Sequence, residues 1–169
     1  MIRSIPYIAS FILLSSCWPK SISFTDGSMP TEWKLFHLVT LEDNSGNTPL
    51  SYALDLSEAI RSGIQNNTRL QISDNPDSSQ VVIEGVITNY SITPVALQEG
   101  DNASQNRLTV TANFSIYTKE PEESEMNLSS SRFIDYDVNT DLGTVETELL
   151  SEVSDQIVQD VINKLLSNW

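Results

Sequence analysis

The sequence predicts an α+β fold: a two-layer sandwich in which a mainly antiparallel sheet of about four strands carries two helices on one face. Three observations lead there. Residues 107–119 alternate strictly, with Leu108, Val110, Ala112, Phe114 and Ile116 apolar and Thr109, Thr111, Asn113, Ser115 and Tyr117 polar. A period of two marks a strand with one face on a core and the other open. Near the C-terminus Val145, Leu149, Val153, Ile157, Val161 and Leu165 recur every four residues, joined by Leu150, Val158, Ile162 and Leu166. That wide stripe is the face of a helix packed on a sheet. Finally, 169 residues with 39% hydrophobic side chains suit one domain with a real core rather than several.

The remaining elements follow in order. The stretch 33–41 is apolar and β-prone, a first strand, and the turn-rich 42–47 ends it. Thr48 reads as an N-cap with Pro49 at the first helical position. Leu50, Ala53, Leu54, Ser57, Ile60 and Ile64 then give an apolar stripe, so a helix is expected to about Asn66. Arg69-Leu70-Gln71-Ile72 is a short strand and Asn75-Pro76-Asp77 a turn. Residues 81–93 form a long β-rich run whose internal Gly85 signals a bulge or close packing, and Pro94 ends it. The aperiodic stretch 95–105, with Gly100-Asp101-Asn102, reads as a mobile loop. After the strand at 107–119, Glu120-Pro121-Glu122-Glu123 turns the chain into a last strand at about 125–136. The final helix starts near Thr144, where Glu146 and Glu148 suit the positive end of its dipole.

The first residues stand apart from this domain. Arg3 supplies a positive start and 5–14 a short apolar run, the layout of a secretory signal too short to span a bilayer. Leu14-Ser15-Ser16-Cys17 resembles a bacterial lipobox, which implies cleavage before Cys17 and acylation of its thiol. Each buried methylene is worth about 0.8 kcal/mol, so several acyl chains make a firm anchor. The expected organisation is a signal peptide at 1–16, a lipidated tether at 17–31 and one domain at 32–169. Trp18-Pro19-Lys20 carries no acid after the cysteine, which favours the periplasmic leaflet of the outer membrane in the sorting schemes that this motif resembles.

Composition excludes much chemistry. Nine basic against 23 acidic side chains leave a formal charge of -14, and nucleic-acid binding needs the opposite surface. One cysteine rules out disulfides within the chain and thiolate zinc sites, and one histidine leaves few catalytic or metal constellations. His37, between Phe36 and Leu38, reads as a satisfied or solvent-facing strand residue. No Gly-x-Ser-x-Gly elbow or phosphate loop is present. Asp135 and Asp137 sit two apart at a strand end, where acids more often cap a turn than form a hydrolytic pair. The expectation is a non-enzyme without cofactor or metal.

What remains is binding. Arg107, Lys119 and Arg132 stand out as cations in an acidic chain. Arg107 and Lys119 share the parity of Thr109, Thr111, Asn113 and Tyr117, so both are expected at the solvent face of their strand. Each either pairs with a neighbouring carboxylate, a contact worth little at a surface, or meets an anionic ligand or a partner's wall.

Several stretches together resemble the LptE family of outer-membrane lipopolysaccharide-assembly lipoproteins, in their shorter variety. They are Ser23-Phe24-Thr25-Asp26-Gly27-Ser28-Met29-Pro30, Ile83-Glu84-Gly85-Val86-Ile87-Thr88-Asn89-Tyr90-Ser91-Ile92-Thr93-Pro94-Val95-Ala96, Asn106-Arg107-Leu108-Thr109-Val110, Ser131-Arg132-Phe133-Ile134-Asp135-Tyr136-Asp137 and Asn163-Lys164-Leu165-Leu166-Ser167-Asn168-Trp169. The resemblance spans nearly the whole chain after Cys17 and keeps the order of its parts. It implies a non-enzymatic plug in the lumen of a large outer-membrane barrel, LptD, that assists barrel assembly and lipopolysaccharide delivery to the outer leaflet. A polar face of Thr109, Thr111, Asn113, Ser115 and Tyr117 suits a barrel interior. The resemblance also implies lipopolysaccharide as a ligand, for which this chain has few basic residues. The alternative is a periplasm-facing lipoprotein that binds a glycan or another ligand as a free module.

Overall fold

A computed structural model describes residues 29–95 and 105–166. The expected signal peptide, Cys17, most of the tether and the centre of the 95–105 loop lie outside the described residues. Along the chain the elements are β1 (Leu35–Leu38), β2 (Glu42–Asp43), α1 (Tyr52–Asn67), β3 (Gln71–Ile72), a single 3-10 turn (Pro76–Ser78), β4 (Val81–Val95), β5 (Gln105–Thr118), β6 (Ser124–Asp137) and α2 (Leu142–Leu166).

The α+β class and the two helices are as the sequence predicts; the sheet is not. It is a mixed, open sheet of six strands in the order β3-β1-β4-β5-β6, with β2 also on β4. β1 runs parallel to β3 and β4, and β2 parallel to β4. Only β4-β5-β6 is antiparallel. The expected mainly antiparallel sheet of about four strands is therefore corrected. Parallel neighbours need a long crossover, and α1 is that crossover between β1 and β3. The stretch 33–41 splits at residues 39–41, where Leu41 turns into the core and its N–H donates to Ser57 Oγ at 2.9 Å.

One face of the sheet is packed. Leu108, Val110, Ala112, Phe114 and Ile116 of β5 are all buried, as the alternation requires, beside Val81, Ile83, Ile87 and Tyr90 of β4. Against them lie Leu56, Ile60 and Ile64 of α1 and Val153, Ile157, Val161 and Leu165 of α2. Each fully buried aliphatic chain is worth about 1.5–3 kcal/mol before cavity terms. Gly85 marks close packing and not the bulge. A Cβ there would lie 2.8 Å from the Phe114 ring and 3.0 Å from Leu41 Cγ. The register shift comes between Ile87 and Asn89; one extra residue inverts the parity, so Ile87 and Tyr90 both face the core.

Four local expectations change. α1 begins at Tyr52, and Thr48 caps nothing helical; its hydroxyl donates to Asp43 instead. Leu50 and Leu54 are exposed (105% and 60%), while Tyr52, Leu56, Ser57, Ile60 and Ile64 form the buried stripe. Ser57 tolerates burial because its hydroxyl also donates to the Ala53 carbonyl. Pro94 stays within β4, opposite Asn106. Beyond Ile87 no strand among the described residues lies on the other side of β4, so a missing N–H there breaks no ladder. α2 begins at Leu142, with Asp141 accepting from the Gly143 N–H at 3.1 Å, which leaves Glu146 beyond the first turn.

Candidate functional site

The face of β4-β5-β6 opposite the helices is open and polar. Thr109, Thr111, Asn113, Ser115 and Tyr117 alternate with the buried set, and Tyr117 is 38% exposed. β6 continues the face with Glu125, Asn127, Ser129, Ser131 and Phe133. Cross-strand hydroxyl and amide contacts knit it together: Thr111 Oγ1 lies 3.0 Å from Ser131 Oγ, and Ser115 Oγ donates to Asn127 Oδ1 at 3.2 Å. A concavity of about 580 Å3 crosses its middle, lined by Thr40, Glu42, Glu84, Val86, Asn113, Ser115, Asn127 and Ser129 among others. The arrangement offers many neutral donors and acceptors on a rigid sheet, with the exposed acids Glu42, Glu84 and Glu125 set among them.

The three cations do not converge. Arg107 lies on the open face as expected, and there it is already engaged. Its Nε and Nη2 donate to the two Asp135 oxygens at 2.7 and 2.8 Å, and its guanidinium stacks 3.7 Å above the Phe133 ring. Those bonds hold the Asp135 carboxyl below the usual carboxylate range, against the opposing effect of burial. Lys119, just past β5, donates from Nζ to the Pro76 and Asp77 carbonyls at 2.8 and 3.0 Å. It ties the β5–β6 hairpin to the 3-10 turn. Arg132 faces the helix side, where it forks onto Asp160 of α2, with Nε to Oδ2 at 2.7 Å. Ser130 Oγ donates to the same oxygen at 2.6 Å. Each cation thus has a partner within the chain, a carboxylate for two and carbonyls for the third.

Other singled-out residues fall into place. His37 Nδ1 sits 2.8 Å from the Ser73 carbonyl, so it is a satisfied strand histidine. Asp137 accepts from the backbone and side chain of Asn139, a turn cap, while Asp135 belongs to Arg107. Sequence reading missed the links between layers. Arg132 shares the parity of Leu128 and Ile134, which places it under α2, and that signal was available. Tyr90, whose hydroxyl donates to Glu146, gave no such sign. Burial first, and the Glu146 carboxylate second, push the Tyr90 phenol up from its ordinary value. Glu146 also borders a second hollow of about 320 Å3 between the helices, with Tyr52, Asp55, Leu150 and Asp155. Among the described residues no group of three or more His, Cys, Asp or Glu is placed to hold a metal ion, and no helix is long and apolar enough to cross a membrane.

Comparison with known proteins agrees with this geometry. The fold matches an uncharacterized lipoprotein B from Nitrosomonas europaea (TM-score 0.55, 14% identity, 85% of this chain and 86% of that one). It also matches a hypothetical protein from Chlamydia trachomatis (0.57, 9%, 80% and 99%) and a minor lipoprotein from Acinetobacter baumannii (0.50, 17%, 80% and 94%). At such identities the likeness concerns the fold alone. No curated protein matches the sequence. The family model for LptE, described as lipopolysaccharide-assembly, matches residues 38–165, from the last residue of β1 through nearly all of α2. The chain belongs to the LptE family of lipopolysaccharide-assembly proteins.

Proposed function

We propose that this chain is a non-catalytic outer-membrane lipoprotein, anchored on the periplasmic side through acylated Cys17, that seats in the lumen of a large LptD-like β-barrel. There it assists barrel assembly and the transport of lipopolysaccharide to the outer leaflet. Membership of the LptE family supports the process. The observation that carries the seating is the one-sided sheet, with both helices on one face and a hydroxyl- and amide-rich face left open. The interior of a large barrel is polar. A face of Thr109, Thr111, Asn113, Ser115 and Tyr117 can exchange hydrogen bonds with such a wall, and the acids Glu84 and Glu125 beside it call for cationic groups on the barrel side.

Lipopolysaccharide itself is the weaker partner in this reading. To grip its phosphates, Arg107 must release Asp135 and Arg132 must release Asp160. A net charge of -14 opposes the approach of an anionic glycolipid. The work therefore falls on the barrel.

Extraction of membranes in mild detergent followed by affinity purification of this chain tests the reading. A large barrel recovered in a stable complex supports it; the chain recovered alone overturns it. The concavity of about 580 Å3 on the open face favours a second reading, a free glycan- or ligand-binding module. That module would show ligand-dependent thermal stabilisation of the isolated chain, through binding linked to folding.

A further inference from the structure

The sheet ends at β6 with an unguarded edge. β6 pairs with β5 over all 14 of its residues without a register shift, and among the described residues no strand lies on its other side. Beyond that ladder, the backbone of residues 124–136 makes no backbone–backbone hydrogen bond among the described residues. Such an edge is normally blunted by shortness, a bulge, a proline or exposed charge. The opposite edge obeys, since β3 has two residues. β6 contains neither Pro nor Gly, and Met126, Asn127, Leu128, Ser129, Ser130 and Ser131 carry no charge. Arg132, its one cation, is turned under α2 and taken by Asp160.

We infer that the β6 edge is a docking strand, to which an extended segment of the barrel partner adds by main-chain hydrogen bonding. This deepens the barrel reading above and rests on it. A second copy of this chain fits poorly. Antiparallel β6–β6 pairing centred on Ser131 sets Glu125 directly against Asp137 at both ends, and like charges in that position destabilise a ladder. The same two acids define the favoured occupant, a segment neutral in its middle with Lys or Arg near its ends. Nor does a wall strand of the barrel fit, because closure leaves each of those paired on both sides. The occupant is a loop or terminal segment of the barrel protein that reaches into the lumen.

Residue-resolved amide exchange, on the isolated chain and on its complex with the barrel, tests this. Strand addition slows every second amide of 126–132, the outward set, by about 100-fold or more in the complex, and leaves the amides already bonded to β5 unchanged. A complex in which the outward amides exchange as in the free chain, or in which slowing lacks the two-residue alternation, overturns the docking strand and leaves the barrel reading standing. Concentration-dependent slowing in the isolated chain assigns the edge to a second copy and overturns it too. Failure to form any complex overturns both.

Discussion

Arg132, Asp160 and Ser130 join the edge strand to the long helix. Asp160 takes both arms of the guanidinium and the Ser130 hydroxyl. Arg132→Met leaves Asp160 with one donor on a largely covered carboxylate. The expected loss is about 1 kcal/mol, modest for a charge-assisted bond because the Arg132 side chain remains 43% exposed. A lower urea midpoint at unchanged slope would register it. The same contact makes stability depend on acid. Arg132 holds the Asp160 carboxyl below the usual range against the upward push of burial, and Arg107 does the same for Asp135. A carboxyl lowered in the folded state contributes stability that is present above its unfolded pKa, about 4. That contribution is lost as pH falls through the folded value. Urea midpoints measured on lowering the pH below about 4 should fall, and Asp160→Asn with Asp135→Asn should flatten that arm.

Gly63 sets how closely the two helices approach. A Cβ at this position would overlap Val158 Cγ1, and valine's branched side chain has little rotamer freedom in a helix to move aside. Ala at a helical glycine ordinarily gains up to about 1 kcal/mol of propensity. Overpacking costs about 1–3 kcal/mol, so Gly63→Ala is expected to destabilise and Gly63→Val to do so more. Thermal or urea unfolding of the two variants checks the order. Legibility of the elements followed their length. β5 and α2 each carry enough residues for a period to show, and Leu108 to Ile116 and Leu149 to Leu165 are buried as read. β2 and β3 have two residues each, too few for any period; β1 and β3 were read as strands, but β2 and the parallel pairing of β1, β3 and β4 were not. The one visible cue to that pairing was the order strand, helix, strand across α1. The stripe of α1 was misplaced because Leu50 and Leu54 look apolar while Tyr52 carries a hydroxyl. In the fold that hydroxyl accepts from Ser154 Oγ at 3.2 Å, which lets the ring be buried.

Across the whole molecule the charge is -14, and Arg107, Lys119 and Arg132 are each engaged within the chain, so binding at the open face relies on polar contacts other than theirs. The face that supplies them was legible from alternation alone. The pairing of the cations was not, because it depends on neighbours that only the fold supplies: Asp135 opposite Arg107 on the open face, and Asp160 of α2 over Arg132 on the other. Family membership came from the order of many unremarkable parts, with no single motif behind it. The central claim is that the open face of β5 meets the wall of a barrel. Photo-crosslinkers placed singly at Thr109, Thr111, Asn113 and Tyr117 in living cells test it most directly. The account predicts adducts with one large outer-membrane barrel protein from these positions; adducts absent from all four, while the chain remains folded and membrane-bound, would contradict it.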